Sequence, residues 1–443
     1  MFRTRICSLL LFSLALVDFL HLEVRAEAVA NSSTATQIYA AGATFPEELY
    51  MDAMFAYQFV EPTVTMSYLP TGSGGGKKRI TQGDQMKDDG FGPPFNIDFA
   101  GSDSLLNAQQ YADYPDLQMY PSVAGAVVPI YNIPELEERA LDLILTPETV
   151  AKIFSGAIKN WNDTTIYNDN VAGGNQAGAD VLKKIKSSII VFVRNEDSGT
   201  TEIWKKSLAG ASAYFAKQIG TSSKPVWNST ARYEYRDENN GVASGVLATD
   251  YAVGYSVLGV ALKLKLKSAM ILKPGSTTPI RASAAAVEFA VAEMGLDFGN
   301  NGDAPERLTA NVMNAQGSLA WPMVGYTYLV MRKNTLRKGA TCEHRKATVN
   351  FWIWFHKSDV ARNLARVHGF SPLPEIVQNT VLTRLMADIK CDGVIAYDNN
   401  NVKIIDGHTI PVVFTTLGIL GNTYIGVDPS VTFNVSCSPA PRD

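Results

Sequence analysis

Between residues 37 and 378 the chain alternates short apolar runs of β character with amphipathic stretches, a pattern that specifies an α/β fold. Buried strands are expected at Val64-Thr65-Met66-Ser67-Tyr68, Ile97-Asp98-Phe99-Ala100, Ala126-Val127-Val128-Pro129-Ile130 and Ile189-Ile190-Val191-Phe192-Val193. Helices are expected over 45–59, 147–154 and 201–219, and a loop over 169–179, where glycine and asparagine breakers crowd together. From residue 379 the character changes. A short helix over 381–389 precedes β-type runs at 393–397, 402–405 and 410–416, read as a small C-terminal β extension over 379–443.

The N-terminus reads as an address. Arg3 and Arg5 precede an apolar stretch from 6 to 22, and Ala26-Glu27-Ala28 supplies small residues at the spacing of a signal-peptidase site. Residues 1–28 therefore form a secretory signal peptide. A membrane anchor needs a cleaner run than one broken by Asp18. The mature chain is expected to be soluble and secreted, extracellular or at the cell surface (periplasmic in a bacterium), with no transmembrane segment. Of the cysteines, Cys7 leaves with the signal, and two of Cys342, Cys391 and Cys437 should pair in an oxidising compartment. The sequons at Asn31, Asn162, Asn228 and Asn434 would accept glycans in a eukaryotic secretory pathway. With 39 basic against 43 acidic residues the net charge is −4, so the basic excess of a nucleic-acid binder is missing.

Four segments share one physical form, in which a strand gives way to a tight turn of small or hydroxyl residues and then to a helix start. They are Ala41-Gly42-Ala43-Thr44-Phe45-Pro46, Thr71-Gly72-Ser73-Gly74-Gly75-Gly76-Lys77, Ala100-Gly101-Ser102-Asp103, and Arg194-Asn195-Glu196-Asp197-Ser198-Gly199-Thr200-Thr201. A helix N-terminus presents unpaired N–H groups and partial positive charge, which suits an oxyanion. Glycine allows close backbone approach, Ser and Thr add hydroxyl donors, and Arg194 adds a bidentate fork. Singly, each segment is an ordinary cap, loop or surface residue; the set in this order is what suggests an anion site. The glycine run is not a nucleotide-binding loop, because Gly76-Lys77 is followed by Lys78 rather than Ser or Thr.

In this order the segments resemble the periplasmic phosphate-binding protein family, the extracellular receptor of a bacterial phosphate importer. Further matching stretches include Tyr131-Asn132-Ile133-Pro134, Asn240-Gly241-Val242-Ala243, Ala320-Trp321-Pro322-Met323-Val324-Gly325-Tyr326 and His368-Gly369-Phe370-Ser371-Pro372. The resemblance implies a two-lobed periplasmic-binding-protein-like α/β fold with a hinge and a ligand cleft between lobes. One lobe would span 38–122 with 325–378, the other 123–324. It also implies that Thr44, Ser73 and Asp103 from the first lobe and Arg194, Ser198, Gly199 and Thr200 from the second bind phosphate. Where the family often has Asp-Gly between the arginine and the serine, this chain has Glu196-Asp197, so Glu196 would have to orient Arg194 with a longer side chain.

The resulting expectation is a non-enzymatic protein that captures inorganic phosphate for uptake, scavenging or sensing. It has no catalytic residues, metal or cofactor, and its partner is a membrane transporter if the source organism has one. Two alternatives use the same scaffold. A phosphate-ester hydrolase would need an activated nucleophile or a metal, and a surface or matrix interaction protein would have lost the ligand. Enzyme signatures such as H-E-x-x-H and G-x-S-x-G are missing.

Overall fold

The computed structural model describes residues 35–87, 89–227 and 230–397. Its strands are β1 (Thr36–Gly42), β2 (Val64–Pro70), β3 (Phe99–Ser102), β4 (Leu117–Asn132), β5 (Ile144–Leu145), β6 (Ile190–Arg194), β7 (Arg232–Arg236), β8 (Ala252–Val257), β9 (Met270–Ile271), β10 (Val324–Arg332), β11 (Phe370–Pro372), β12 (Lys390–Cys391) and β13 (Val394–Ile395). The helices are α1 (Glu47–Tyr57), α2 (Gly72–Gln82), α3 (Ala108–Asp113), α4 (Pro134–Glu137), α5 (Pro147–Phe154), α6 (Thr164–Ala172), α7 (Gln176–Leu182), α8 (Gly199–Ala211), α9 (Ala213–Gln218), α10 (Glu238–Leu247), α11 (Leu258–Lys263), α12 (Ala284–Met294), α13 (Cys342–Lys357), α14 (Asp359–Val367) and α15 (Glu375–Asp388).

The principal sheet runs β2-β1-β3-β10-β4-β8-β6-β7, with β11 also on β4. Two pairing regimes meet on β4. Residues 117–126 pair antiparallel with β10, whereas Val127–Asn132 pair antiparallel with β8. Around these crossing strands, β1, β2 and β3 are parallel on one side, and β6, β7 and β8 are parallel on the other. Strand β4 is buried along nearly its whole length, which explains its near-continuous apolar sequence. This is the α/β, two-lobed architecture expected from the sequence.

The core of the first half is aromatic. Tyr50 of α1 makes edge contacts with Tyr68, Trp352 and Phe355, so the Phe351-Trp352-Ile353-Trp354-Phe355 face of α13 is packing surface. In the second half Trp204 stacks on Tyr255 at 5.3 Å. A disulfide joins Cys342 at the start of α13 to Cys391 in the β12–β13 hairpin. Cys437 and the β-type runs at 402–405 and 410–416 lie outside the described residues.

Local expectations differ from the structure at three places. Residues 169–179 are not a loop, because α6 and α7 occupy most of them. The breakers act as punctuation: Gly173 caps α6, Gly174 takes φ +80°, and the Asn175 side chain caps α7 by accepting the Gly178 N–H at 3.1 Å. The helix expected over 201–219 is two helices, divided where the Ser212 hydroxyl accepts the Phe215 N–H at 3.3 Å and starts α9. The third difference is α15, which starts at Glu375 rather than 381.

Candidate functional site

The loops singled out in the sequence converge where β1, β3 and β6 end. Thr44 follows β1 just ahead of α1; it is buried, and its Oγ1 accepts hydrogen bonds from Arg194 Nη2 at 3.1 Å and Asn239 Nδ2 at 3.2 Å. Ser73 lies in the first turn of α2. Its hydroxyl accepts the Asp103 N–H at 3.1 Å and faces Asp103 Oδ2 at 3.5 Å. Asp103 follows β3, and its buried Oδ1 has no hydrogen-bond partner among the described residues.

Arg194, the last residue of β6, is fully buried. Removing a guanidinium from water is costly unless its donors are matched. Here Nη1 donates to Asn239 Oδ1 at 2.9 Å, and Nε donates to Glu196 Oε1 at 2.7 Å. Nη2 also reaches Glu196 Oε1 as well as Thr44. Glu196 thus provides the acid beside Arg194 despite its longer side chain, and the same oxygen accepts the Glu238 N–H at 3.1 Å. Ser198, Gly199 and Thr200 open α8. The Ser198 hydroxyl accepts the Thr201 N–H at 3.3 Å as its N-cap, and Thr200 Oγ1 accepts from Asn239 Nδ2 at 3.4 Å.

Two glycines show how closely the site's elements approach one another. Four glycines in the first turns of a helix are unfavourable on propensity alone, yet a Cβ on Gly76 would lie 2.6 Å from Gly42 Cα. Helix α2 therefore comes down on the end of β1 with no side chain between them. At Gly199 a Cβ would lie 2.5 Å from both Asp103 Cβ and Ser73 Oγ, so the start of α8 fits against the opposite loops only as glycine.

The electrostatics of the two sides differ. Burial pushes the Asp103 carboxyl up to about 7, against the lowering effects of the Thr327 hydroxyl, the Arg194 charge and Ser73. Lys77 is lowered, chiefly by burial, and donates to Ser104 Oγ at 2.7 Å and to the Leu105 carbonyl at 3.2 Å. Burial also holds the Tyr255 hydroxyl up at about 12; that hydroxyl accepts the Arg194 N–H at 3.2 Å and pairs with Thr201 Oγ1 at 2.6 Å.

Six of the seven residues named from sequence are joined by these contacts or by direct packing, and Ser198 caps the helix that carries two of them. Asn239 was missed. It bridges Arg194, Thr44 and Thr200, and its Asp237-Glu238-Asn239-Asn240-Gly241 segment has the same strand–turn–helix form as the other four. Elsewhere, Asn162 is exposed in the turn before α6, whereas Asn31, Asn228 and Asn434 lie outside the described residues. The only cluster of potential metal ligands among the described residues contains both disulfide cysteines, Cys342 and Cys391, with Asp392. No helix among the described residues is long and apolar enough to cross a membrane.

Two α/β halves on shared crossing strands, with polar strand ends facing one another, define a two-lobed binding-protein fold. The profile of the PBP superfamily domain matches residues 28–350. Phosphate-binding protein PstS of Methanocaldococcus jannaschii is 30% identical over 346 residues, covering 76% of this chain and 82% of that protein. The PstS of Pasteurella multocida is 28% identical over 370 residues, covering 82% of this chain and 93% of the relative. Among solved structures, a high-affinity periplasmic phosphate-binding protein with bound phosphate matches with TM-score 0.59 at 20% identity, over 80% of this chain and 98% of its own. That likeness carries the fold. The chain belongs to the periplasmic phosphate-binding protein family.

Proposed function

We propose that this protein captures inorganic phosphate between its two lobes, with Thr44, Ser73, Asp103, Arg194, Ser198, Gly199 and Thr200 as ligands and Asn239 as a positioning residue. The carrying observation is the pairing of opposites. A fully buried, fully braced guanidinium faces a buried carboxyl whose Oδ1 lacks a partner. An anion satisfies the first and a hydrogen-bond donor the second, and a partly protonated oxyanion is both. Phosphate keeps a proton near neutral pH and sulfate does not. Relatives named for phosphate binding support the same reading.

The lobes run over 38–122 with 325–378 and over 123–324, a division supported by the change of partner on β4 at Ala126 and Val127. The protein is secreted after removal of residues 1–28 and acts by binding, without catalysis, handing its cargo to a membrane transporter where one exists. Calorimetric titration of the mature chain with phosphate and with sulfate tests this. One-to-one binding of phosphate and none of sulfate is expected. Equal binding of both removes the role given to Asp103, and turnover of an aryl phosphate would favour a hydrolase instead.

A further inference from the structure

Asp103 can accept a proton from a ligand only while its Oδ1 stays unpartnered. A buried carboxyl left free to turn would find a donor of its own. What restrains it lies on one face of α2. Ser73 and Lys77 are four residues apart, one helical turn, so both side chains meet the same neighbour, the turn that follows β3. Ser73 holds that turn at Asp103, whose N–H its hydroxyl accepts at 3.1 Å. Lys77 holds it one and two residues further on, donating from Nζ to Ser104 Oγ at 2.7 Å and to the Leu105 carbonyl at 3.2 Å. Within the turn, the Ser102 hydroxyl donates to the Ser104 carbonyl at 2.6 Å. Close approach makes this possible: a Cβ on Gly76 would lie 3.1 Å from the Gly101 carbonyl oxygen. Residues 102–105 are thus fastened on both sides of the acid.

A lysine is a costly choice for that task. It is half-buried, and both of its acceptors are neutral. The acids whose charge it feels, Glu202, Asp197 and Asp103, all lie beyond ion-pair distance. Taking an ammonium out of water without a carboxylate is unfavourable, so an apolar side chain would serve packing better. We propose that Lys77 is a positioning residue for phosphate selectivity, tying its ammonium to Ser104 and Leu105 and so holding the Asp103 carboxyl free for the proton of the ligand. This rests on the reading that Asp103 accepts that proton. Charge-assisted bonds are the stronger kind, which suits a brace between two elements. The same bonds keep the ammonium from capping the carboxyl itself. An ion pair between Lys77 and Asp103 would occupy the acceptor that the ligand needs, and discrimination against sulfate would go with it.

Phosphate and sulfate affinities are measured by calorimetry for the wild type, Lys77→Met, Lys77→Arg, Ser104→Ala and the double variant of Lys77→Met with Ser104→Ala. Lys77→Met should lower the preference for phosphate over sulfate roughly tenfold, about what one charge-assisted hydrogen bond contributes. Lys77→Arg, which keeps charged donors, should recover part of it. Ser104→Ala should shift the preference the same way, and it carries the test if Lys77→Met does not fold. The double variant should lose less than the sum, because each change removes the same 2.7 Å contact. Equal weakening of both anions overturns the proposal and leaves Lys77 a source of charge alone. A lower thermal midpoint with preference unchanged overturns it too, and leaves only a part in stability. In the ligand-free protein, hydrogen exchange at the Asp103 amide gives an independent reading. It should quicken in Lys77→Met while the amides of β8 keep their protection. Unchanged protection at Asp103 refutes the brace whatever the anions do. Failure of the wild type to bind phosphate would instead defeat the functional reading, with exchange at Asp103 still deciding the brace.

Discussion

The strand ends at β1 and β3 and the strand end at β6 face each other and use the same local device, yet they carry opposite chemistry. The first side offers hydroxyls and a carboxyl: Thr44, Ser73 and Asp103, the last held up at about 7 by burial. The second offers a fully buried guanidinium that Glu196 and Asn239 hold in place. On the proposed reading, attraction for an anion belongs to the β6 side and discrimination among anions to the β3 side. A site built only like the second would bind any oxyanion of the right size. A site built only like the first would repel them all.

The largest expected effect breaks the discriminating half. Asp103→Asn replaces an acceptor with a group that can donate, so sulfate should compete with phosphate in the variant. A missing hydrogen bond in a polar site can discriminate by ~10⁴-fold, and much of that should vanish in competition assays with labelled phosphate. The same substitution should stabilise the ligand-free protein. Because folding holds this acid above its ordinary 3.8, the folded state favours the protonated form. Stability is then lost as pH rises from about 4 towards 7 and stays low above that. Thermal unfolding midpoints of variant and wild type should coincide near pH 4 and separate at pH 8, by an amount equivalent to roughly 1–3 kcal/mol.

Breaking the attracting half comes next. Arg194→Met removes two or more charge-assisted hydrogen bonds of about 1.5–3 kcal/mol each. Phosphate affinity should fall ~10²–10⁴-fold by calorimetry, while the order of preference between phosphate and sulfate persists. Gly199→Ala tests whether the halves must touch. The added methyl would lie 2.5 Å from Asp103 Cβ and Ser73 Oγ, so it should hold the lobes apart at a cost of about 1–3 kcal/mol. Affinity should drop roughly tenfold to a hundredfold with preference unchanged, and small-angle scattering with phosphate should show incomplete compaction.

How legible each half was in the sequence follows the same division. Local signals carry the strand ends, because Thr44, Asp103 and Arg194 each sit where an apolar run stops and small residues begin. Asn239 acts through a partner 45 residues away, so its function is set by the pairing of β6 with β7 rather than by its neighbours in sequence. The glycines of α2 show the limit of propensity. Thr71-Gly72-Ser73-Gly74-Gly75-Gly76 reads as a turn, yet it is the first part of a helix because contact with β1 requires it. At 169–179 the error ran the other way, since Gly173, Gly174 and Asn175 cap two helices rather than dissolve them.

The smallest expected effect concerns Thr44, the hydroxyl that touches both halves. Its Oγ1 accepts from Arg194 and from Asn239, both across the cleft. Thr44→Ala deletes one neutral acceptor, worth about 0.5–1.5 kcal/mol, so phosphate affinity should fall only ~2–12-fold. Thr44→Ser keeps the hydroxyl and should stay close to wild type. If Thr44 acts through Asn239, the Thr44→Ala and Asn239→Ala losses will not add in the double variant, because each removes the same 3.2 Å contact. Full additivity by calorimetry would mean that Thr44 works independently of Asn239. A loss as large as that of Arg194→Met would mean that the division between an attracting and a discriminating side is wrong, since a hydroxyl on the β1 side would then be carrying the attraction.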